Sequence, residues 1–126
     1  MIRVDSNKNI RINRGDSGTL VFSASVEQTG DDYTFEVGDI VRLNVTKANK
    51  ENEVVLSKDV TVSEESTTVE MALDSSDTKI GDVINRPVTY WYDVELNPDG
   101  NSTTIIGYDE DGAKLFILDP ESIKES

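Results

Sequence analysis

Cysteine and histidine are both missing from this 126-residue chain. Without cysteine there is no disulfide framework, no thiolate zinc site and no cysteine nucleophile. Without histidine, the usual base for Ser or Thr nucleophiles and the commonest transition-metal ligand are gone. Carboxylates, tyrosines and lysines are what remain for proton transfer, so the expectation is no enzyme, no catalytic residues, no cofactor and no metal. Long apolar runs are missing too. Leu115 to Leu118 is among the longest, far short of the roughly 20 residues that a membrane helix needs. Met1-Ile2-Arg3-Val4-Asp5 carries no apolar signal region, which points to a protein made and used from a cytoplasm.

Positive charge is scarce as well: 12 Lys and Arg stand against 25 Asp and Glu, a net charge of -13. Such a surface repels nucleic-acid phosphates, whose binding needs Lys and Arg to displace counterions, and it disfavours anionic membranes. The acids read as a coat that keeps a concentrated protein from self-association. A DNA mimic would array its carboxylates along one face, whereas here they mix with Lys and Asn and gather in turns. A chain of this length can still bury about two-thirds of its unfolded surface as one domain.

What the chain does have is alternation. Leu20, Phe22, Ala24 and Val26 alternate with Thr19, Val21, Ser23 and Ser25. Val41, Leu43 and Val45 alternate with Arg42, Asn44 and Thr46, and Val69, Met71 and Leu73 with Thr68, Glu70 and Ala72. Each is a strand with one face on a core and one in water. Val54 to Val62 is a fourth such run, interrupted at Lys58. Gly30-Asp31-Asp32, Val37-Gly38-Asp39, Asn97-Pro98-Asp99-Gly100 and Asp109-Glu110-Asp111-Gly112 supply turn chemistry between the runs. The third of these sits between Val94-Glu95-Leu96 and Thr104-Ile105-Ile106 as a hairpin loop should. Strands recurring at roughly 8–12 residues predict an all-β, antiparallel sandwich of about seven to nine strands. At most one short helical turn is expected, over 74–81, ending at Gly81. The predicted domain covers 1–121, with 122–126 as a flexible tail. Leu20, Phe22, Leu43, Val45, Met71, Tyr90, Tyr92, Val94 and Ile117 are the expected core.

Few motifs carry chemistry. Arg14-Gly15-Asp16 spells an adhesion tripeptide, but it lies between a short strand bearing Ile10 and Ile12 and the strand that starts near Leu20, and reads as a turn. Asp109 to Gly112 has the flavour of a calcium loop. With Gly112 at the loop's sixth position, Gly107 falls where an Asp is needed; with Gly100 there, Ile106 falls where the bidentate Glu belongs. A weak surface calcium site at Asp109 and Asp111 is the exception left open. Asn44-Val45-Thr46 and Asn101-Ser102-Thr103 match the glycosylation acceptor by coincidence, because no secretory route is expected. The stretch Pro87 to Leu96 stands out: Val88, Tyr90, Tyr92, Val94 and Leu96 share one face, and Thr89, Trp91, Asp93 and Glu95 the other. The single tryptophan therefore falls on the polar face. Either another element or a bulge covers it, or it anchors a partner, as Trp does at interface hot spots. Thr89, Trp91 and Asp93 are the candidate interface.

Four stretches, "INRGDSGTLVF", "YTFEVGDIVRLNVTK", "YWYDVEL" and "TTIIGYDEDGAKLFILDPE", resemble in this order small virion proteins of tailed phages and prophages of Gram-positive bacteria. The likeness covers most of residues 9 to 121 and is closest to the N-terminal domain of upper baseplate proteins. It implies an immunoglobulin-like sandwich, located in the virion and made in a bacterial host cytoplasm, that mounts on other virion proteins and catalyses nothing. As a free protein it is expected to be a monomer or weak oligomer. In those baseplate proteins the domain precedes a helical linker and a partner-carrying C-terminal part, so the expectation is either a cut-out domain or a stand-alone tail or neck component. The competing expectation is a carbohydrate- or receptor-binding sandwich using Trp91, Tyr108 and Asp109 for stacking and hydrogen bonds.

Overall fold

In the computed structural model, residues 3–4, 8–24, 29–48, 50–100, 102–107 and 112–121 are described. They form nine strands: β1 (Arg3–Val4), β2 (Ile10–Asn13), β3 (Gly18–Phe22), β4 (Ile40–Lys47), β5 (Lys50–Thr61), β6 (Val69–Leu73), β7 (Val88–Leu96), β8 (Thr103–Ile106) and β9 (Lys114–Asp119). The period-2 runs of the sequence became β3 to β7, because alternation gives each of them one face to bury.

Two sheets share the strands. The large one runs β1-β2-β9-β7-β4-β5, with β8 also on β7; β3 and β6 make the small one. The β8 and β9 strands occupy successive stretches of one β7 edge: Val94 to Leu96 face β8 and Val88 to Tyr92 face β9. One pairing departs from the antiparallel expectation. The β2 strand runs parallel to β9, Ile10 beside Phe116 and Asn13 beside Asp119, so the large sheet is mixed. A parallel neighbour needs a crossover rather than a hairpin, and no local signal in Ile10 to Asn13 announces a partner about a hundred residues away.

The core lies between the sheets. From the large sheet it takes Ile10, Ile12, Val41, Leu43, Val45, Tyr92, Val94, Leu96, Phe116 and Leu118; from the small one, Leu20, Phe22, Val69, Met71 and Leu73. Two expected core residues fall short. Tyr90 is half-buried at the margin of the cluster. Ile117 is half-buried on the outer face, and Phe116 and Leu118 take the inner positions. The continuous apolar run from Leu115 to Leu118 has no alternation to fix its phase, and the parallel register with β2 decides it.

The small sheet cannot cover seven strands alone, and irregular segments complete the lid. Phe35 is fully buried, bridged to Ser66 through its backbone and packed edge-on against Tyr33 at 5.1 Å between ring centres. Residues 74–81 form successive turns, with Ile80 buried. Among the described residues there is no helix. Asp77 stabilises the first turn by accepting the Asp74 backbone N–H at 2.8 Å. The tail at 122–126 lies outside the described residues.

Candidate functional site

The outer face of the large sheet is built from the residues that alternate with the core. The strand pairing sets them in rows across the sheet. One row runs Asp59, Arg42, Glu95, Thr104, and the next Ser57, Asn44, Asp93. The polar side chains of these rows form two hydrogen-bonded groups, one around Arg42 and one around Asn44. Arg42 grips Asp59 with two bonds, 2.7 and 3.0 Å, and reaches Asp99 at 3.3 Å. The Asn44 side-chain amide donates to Asp93 at 3.0 Å and Glu95 at 2.9 Å, and accepts from the Ser57 hydroxyl at 3.2 Å. The bidentate bond to Arg42 holds the Asp59 carboxyl below its ordinary value and raises the guanidinium.

The third row is different in kind: Val54, Thr46, Trp91, Leu115. The fourth is Thr89, Ile117 and Arg11. Together they make an apolar half-face beside the polar one. Trp91 is half-buried, with buried Thr46 on one side and half-buried Leu115 on the other, while Val54 and Thr89 are exposed. All three predicted interface residues therefore share this face: Thr89 open to solvent, Trp91 seated in the apolar row, and Asp93 committed to Asn44. Among the described residues, Thr46 and Leu115 flank Trp91 as its cross-strand neighbours.

Val54 belongs to the row for a reason the alternation hid. The β4–β5 register jumps from Val45 beside Leu56 to Thr46 beside Val54, leaving one extra residue in β5. That bulge turns Val54 outward, since a one-residue slip moves a side chain to the opposite face. Simple alternation along Val54 to Val62 would have put it in the core with Leu56.

Other features can be compared with this face. Arg14 is buried at 8% exposure, with its guanidinium on Glu121 at 3.0 Å and on the Gly81 carbonyl at 2.6 Å. Thr78 ties the same turn by accepting the Gly15 N–H and donating to the Asp16 carbonyl. A receptor cannot read an arginine held this way, so Arg14-Gly15-Asp16 is structural. A surface groove of about 310 Å³ opens between the ends of β5 and β6, lined in part by Val60, Val62, Glu64, Thr68 and Glu70. The β5 strand pairs with β4 on one side, and among the described residues no strand pairs with its other edge.

No cluster of three or more His, Cys, Asp or Glu among the described residues is placed to hold a metal ion. Asp109 and Asp111, the calcium candidates, and Tyr108, the stacking candidate, lie outside the described residues. Compared with known proteins, the chain matches no family model and no curated sequence.

Proposed function

We propose that this chain is a non-enzymatic structural domain of a tailed-phage particle, a tail or baseplate component that mounts on other virion proteins through the outer face of its large sheet. The observation that carries the docking reading is the row Val54, Thr46, Trp91, Leu115 and its neighbour Ile117. A β-sandwich has no structural need for tryptophan, leucine, isoleucine and valine together on its outer face, and contiguous apolar surface of this kind marks interaction sites. The hydrogen-bonded rows beside it hold that half of the face rigid, so ordering costs little on association. The virion assignment rests on the resemblance of the four sequence stretches. Sorting β3 with β6 and β4 with β7 and β9 also supports an immunoglobulin-like arrangement, in which the second and fifth strands share one sheet and the third, sixth and seventh the other.

Charge narrows the partner. At -13 per chain a second copy is repelled, whereas a virion protein with an apolar patch rimmed by Lys or Arg is attracted. The test is incorporation. Thr89→Glu and Val54→Glu each place a charge on the apolar half-face at exposed positions. Particles assembled with either variant should lose the protein while its melting temperature holds. Normal incorporation of both overturns the docking face. Particles that retain the protein but no longer attach to cells favour the carbohydrate- or receptor-binding reading instead.

A further inference from the structure

We infer that the parallel pairing of β2 with β9 is a mechanical clamp, which carries tension applied between the chain before β2 and the chain after β9. The inference does not depend on what the outer face binds. Its basis is direction. The chain enters β2 at Ile10, beside Phe116, and leaves β9 at Asp119, beside Asn13. Tension along the chain therefore pulls the two parallel strands in opposite senses along their own axes. Every bond between them is loaded at once. An N–H···O bond is lost within a few tenths of an ångström of stretch, so bonds loaded side by side must fail together. Bonds at a peeling end fail one at a time.

This chain reinforces the pair beyond its backbone ladder, and does so along its whole length. At the entry end the Leu115 N–H donates to the Asn9 side chain at 3.1 Å, and the lead into β2 is also tied to β7, where the Tyr92 hydroxyl donates to the Lys8 carbonyl. In the middle Arg11 spans to Asp119 with two bonds, 2.8 and 2.9 Å. At the exit end the Asn13 amide donates to the Pro120 carbonyl at 2.8 Å, the Arg14 N–H to the Asp119 carbonyl at 2.9 Å, and the Arg14 guanidinium to Glu121 at 3.0 Å. Fixed-geometry arginine forks resist sliding better than single bonds. The β9 strand is backed on its other edge by β7, so the β2–β9 seam is where a pulled molecule must yield. The two-residue β1 pairing on the far edge of β2 peels first and bears little.

The experiment is single-molecule pulling of the full chain in two geometries. Handles at the two ends of the chain load the seam in shear. A handle on Ser17→Cys, unique because the chain has no native cysteine, paired with the C-terminal handle, pulls the seam apart from its Asn13–Asp119 end. Thr19→Cys serves if Ser17→Cys fails to fold. Forced unfolding reads the barrier rather than the equilibrium stability. The expected result is an end-to-end unfolding force several-fold above the peeling force. Arg11→Leu should lower the end-to-end force by a larger fraction than the peeling force, with the melting temperature within a few degrees of the parent. Equal forces in the two geometries overturn the clamp. An end-to-end force unmoved by Arg11→Leu overturns the part assigned to the side-chain ties.

Discussion

The two faces of the large sheet are made by the same strands and obey the same alternation, yet they differ in how much each residue matters. On the inner face Ile12, Val41, Leu43, Val45, Val94, Phe116 and Leu118 are fully buried and belong to one core cluster with residues of the small sheet. On the outer face the polar half satisfies its own groups through Arg42 and Asn44, and the apolar half leaves Val54 and Thr89 in water. Burial ranks the residues for stability; the outer face, where burial is partial, is where sequence is free to serve something other than folding.

The sharpest way to test that ranking is to cut the same size of side chain from each face. Phe116→Ala removes a fully buried ring and should cost about 3–5 kcal/mol, read as a lowered denaturation midpoint at unchanged slope. Phe22→Ala, at 4% exposure, belongs in the same range. Trp91→Ala removes a larger ring from the outer face but should cost less than Phe116→Ala, since part of its surface was never withdrawn from water. Combined with Leu115→Ala it should show a coupling of about 0.5 kcal/mol or more, because the two are direct cross-strand neighbours. A Trp91→Ala loss as large as that of Phe116→Ala would make the outer row core and remove the docking face.

How far these faces were legible in the sequence follows from the same physics. Where one face is apolar and the other polar, as in Val41 to Thr46, Val69 to Leu73 and Val88 to Leu96, the period gave both strand and orientation. Where both sets are apolar, as at Leu115 to Leu118, the phase was open, and Ile117 went to the wrong side. The outward turn of Val54 was not legible, because a bulge leaves no mark on composition. Phe35 was missed although Tyr33, Phe35 and Val37 alternate with Thr34 and Glu36; the run is short, and in the structure it is a loop that makes an isolated bridge from Phe35 to Ser66. Arg14 gave no sign of burial, since its partners Gly81 and Glu121 are distant in sequence. The candidate site was half visible. Trp91 out of phase with the core was the signal, but its row-mates come from three other strands.

Acid should weaken the polar network before it touches the apolar faces. Burial alone would raise the Asp77 carboxyl, but Lys58 at 2.6 Å and the Asp74 N–H outweigh it and hold it below its ordinary value. In Asp39 burial is likewise overcome, by the Glu36 N–H, the Asn97 amide and the Tyr33 hydroxyl. Asp59 is lowered first by its bond to Arg42. A carboxyl lowered in the folded state stabilises the fold above its unfolded pKa, and that contribution is lost as pH falls through the folded value. Stability should therefore be flat at neutral pH and drop once pH passes below about 3.9, the unfolded aspartate value. Asp77→Asn and Asp39→Asn should each flatten that acid limb in pH-dependent urea titrations. A limb unchanged in both variants would mean other carboxylates dominate it.

The smallest expected change in stability tests the open edge. Lys58 stands directly beside Leu43 in the β4–β5 register, so its side chain leaves the core-facing side of an edge strand. There it interrupts the apolar sequence that Leu56 and Val60 would otherwise continue, and its ammonium is drawn out to Asp77, a bond that raises its pKa. An inward-pointing charge on an edge strand is a recognised means of blocking edge-to-edge pairing, since a second sheet joining there would have to bury it. β5 is long, and among the described residues its outer edge is unpaired, so the block matters. Lys58→Val should change the melting temperature little, because a partly exposed ion pair contributes only about 0–1 kcal/mol and valine suits a strand. What should change is association: sedimentation at increasing concentration should show oligomers in Lys58→Val that the parent lacks, despite the repulsion of a net charge near -14. A variant as monomeric as its parent would mean that charge alone keeps the copies apart, and that the edge, like the apolar half-face, is open to any partner of opposite sign.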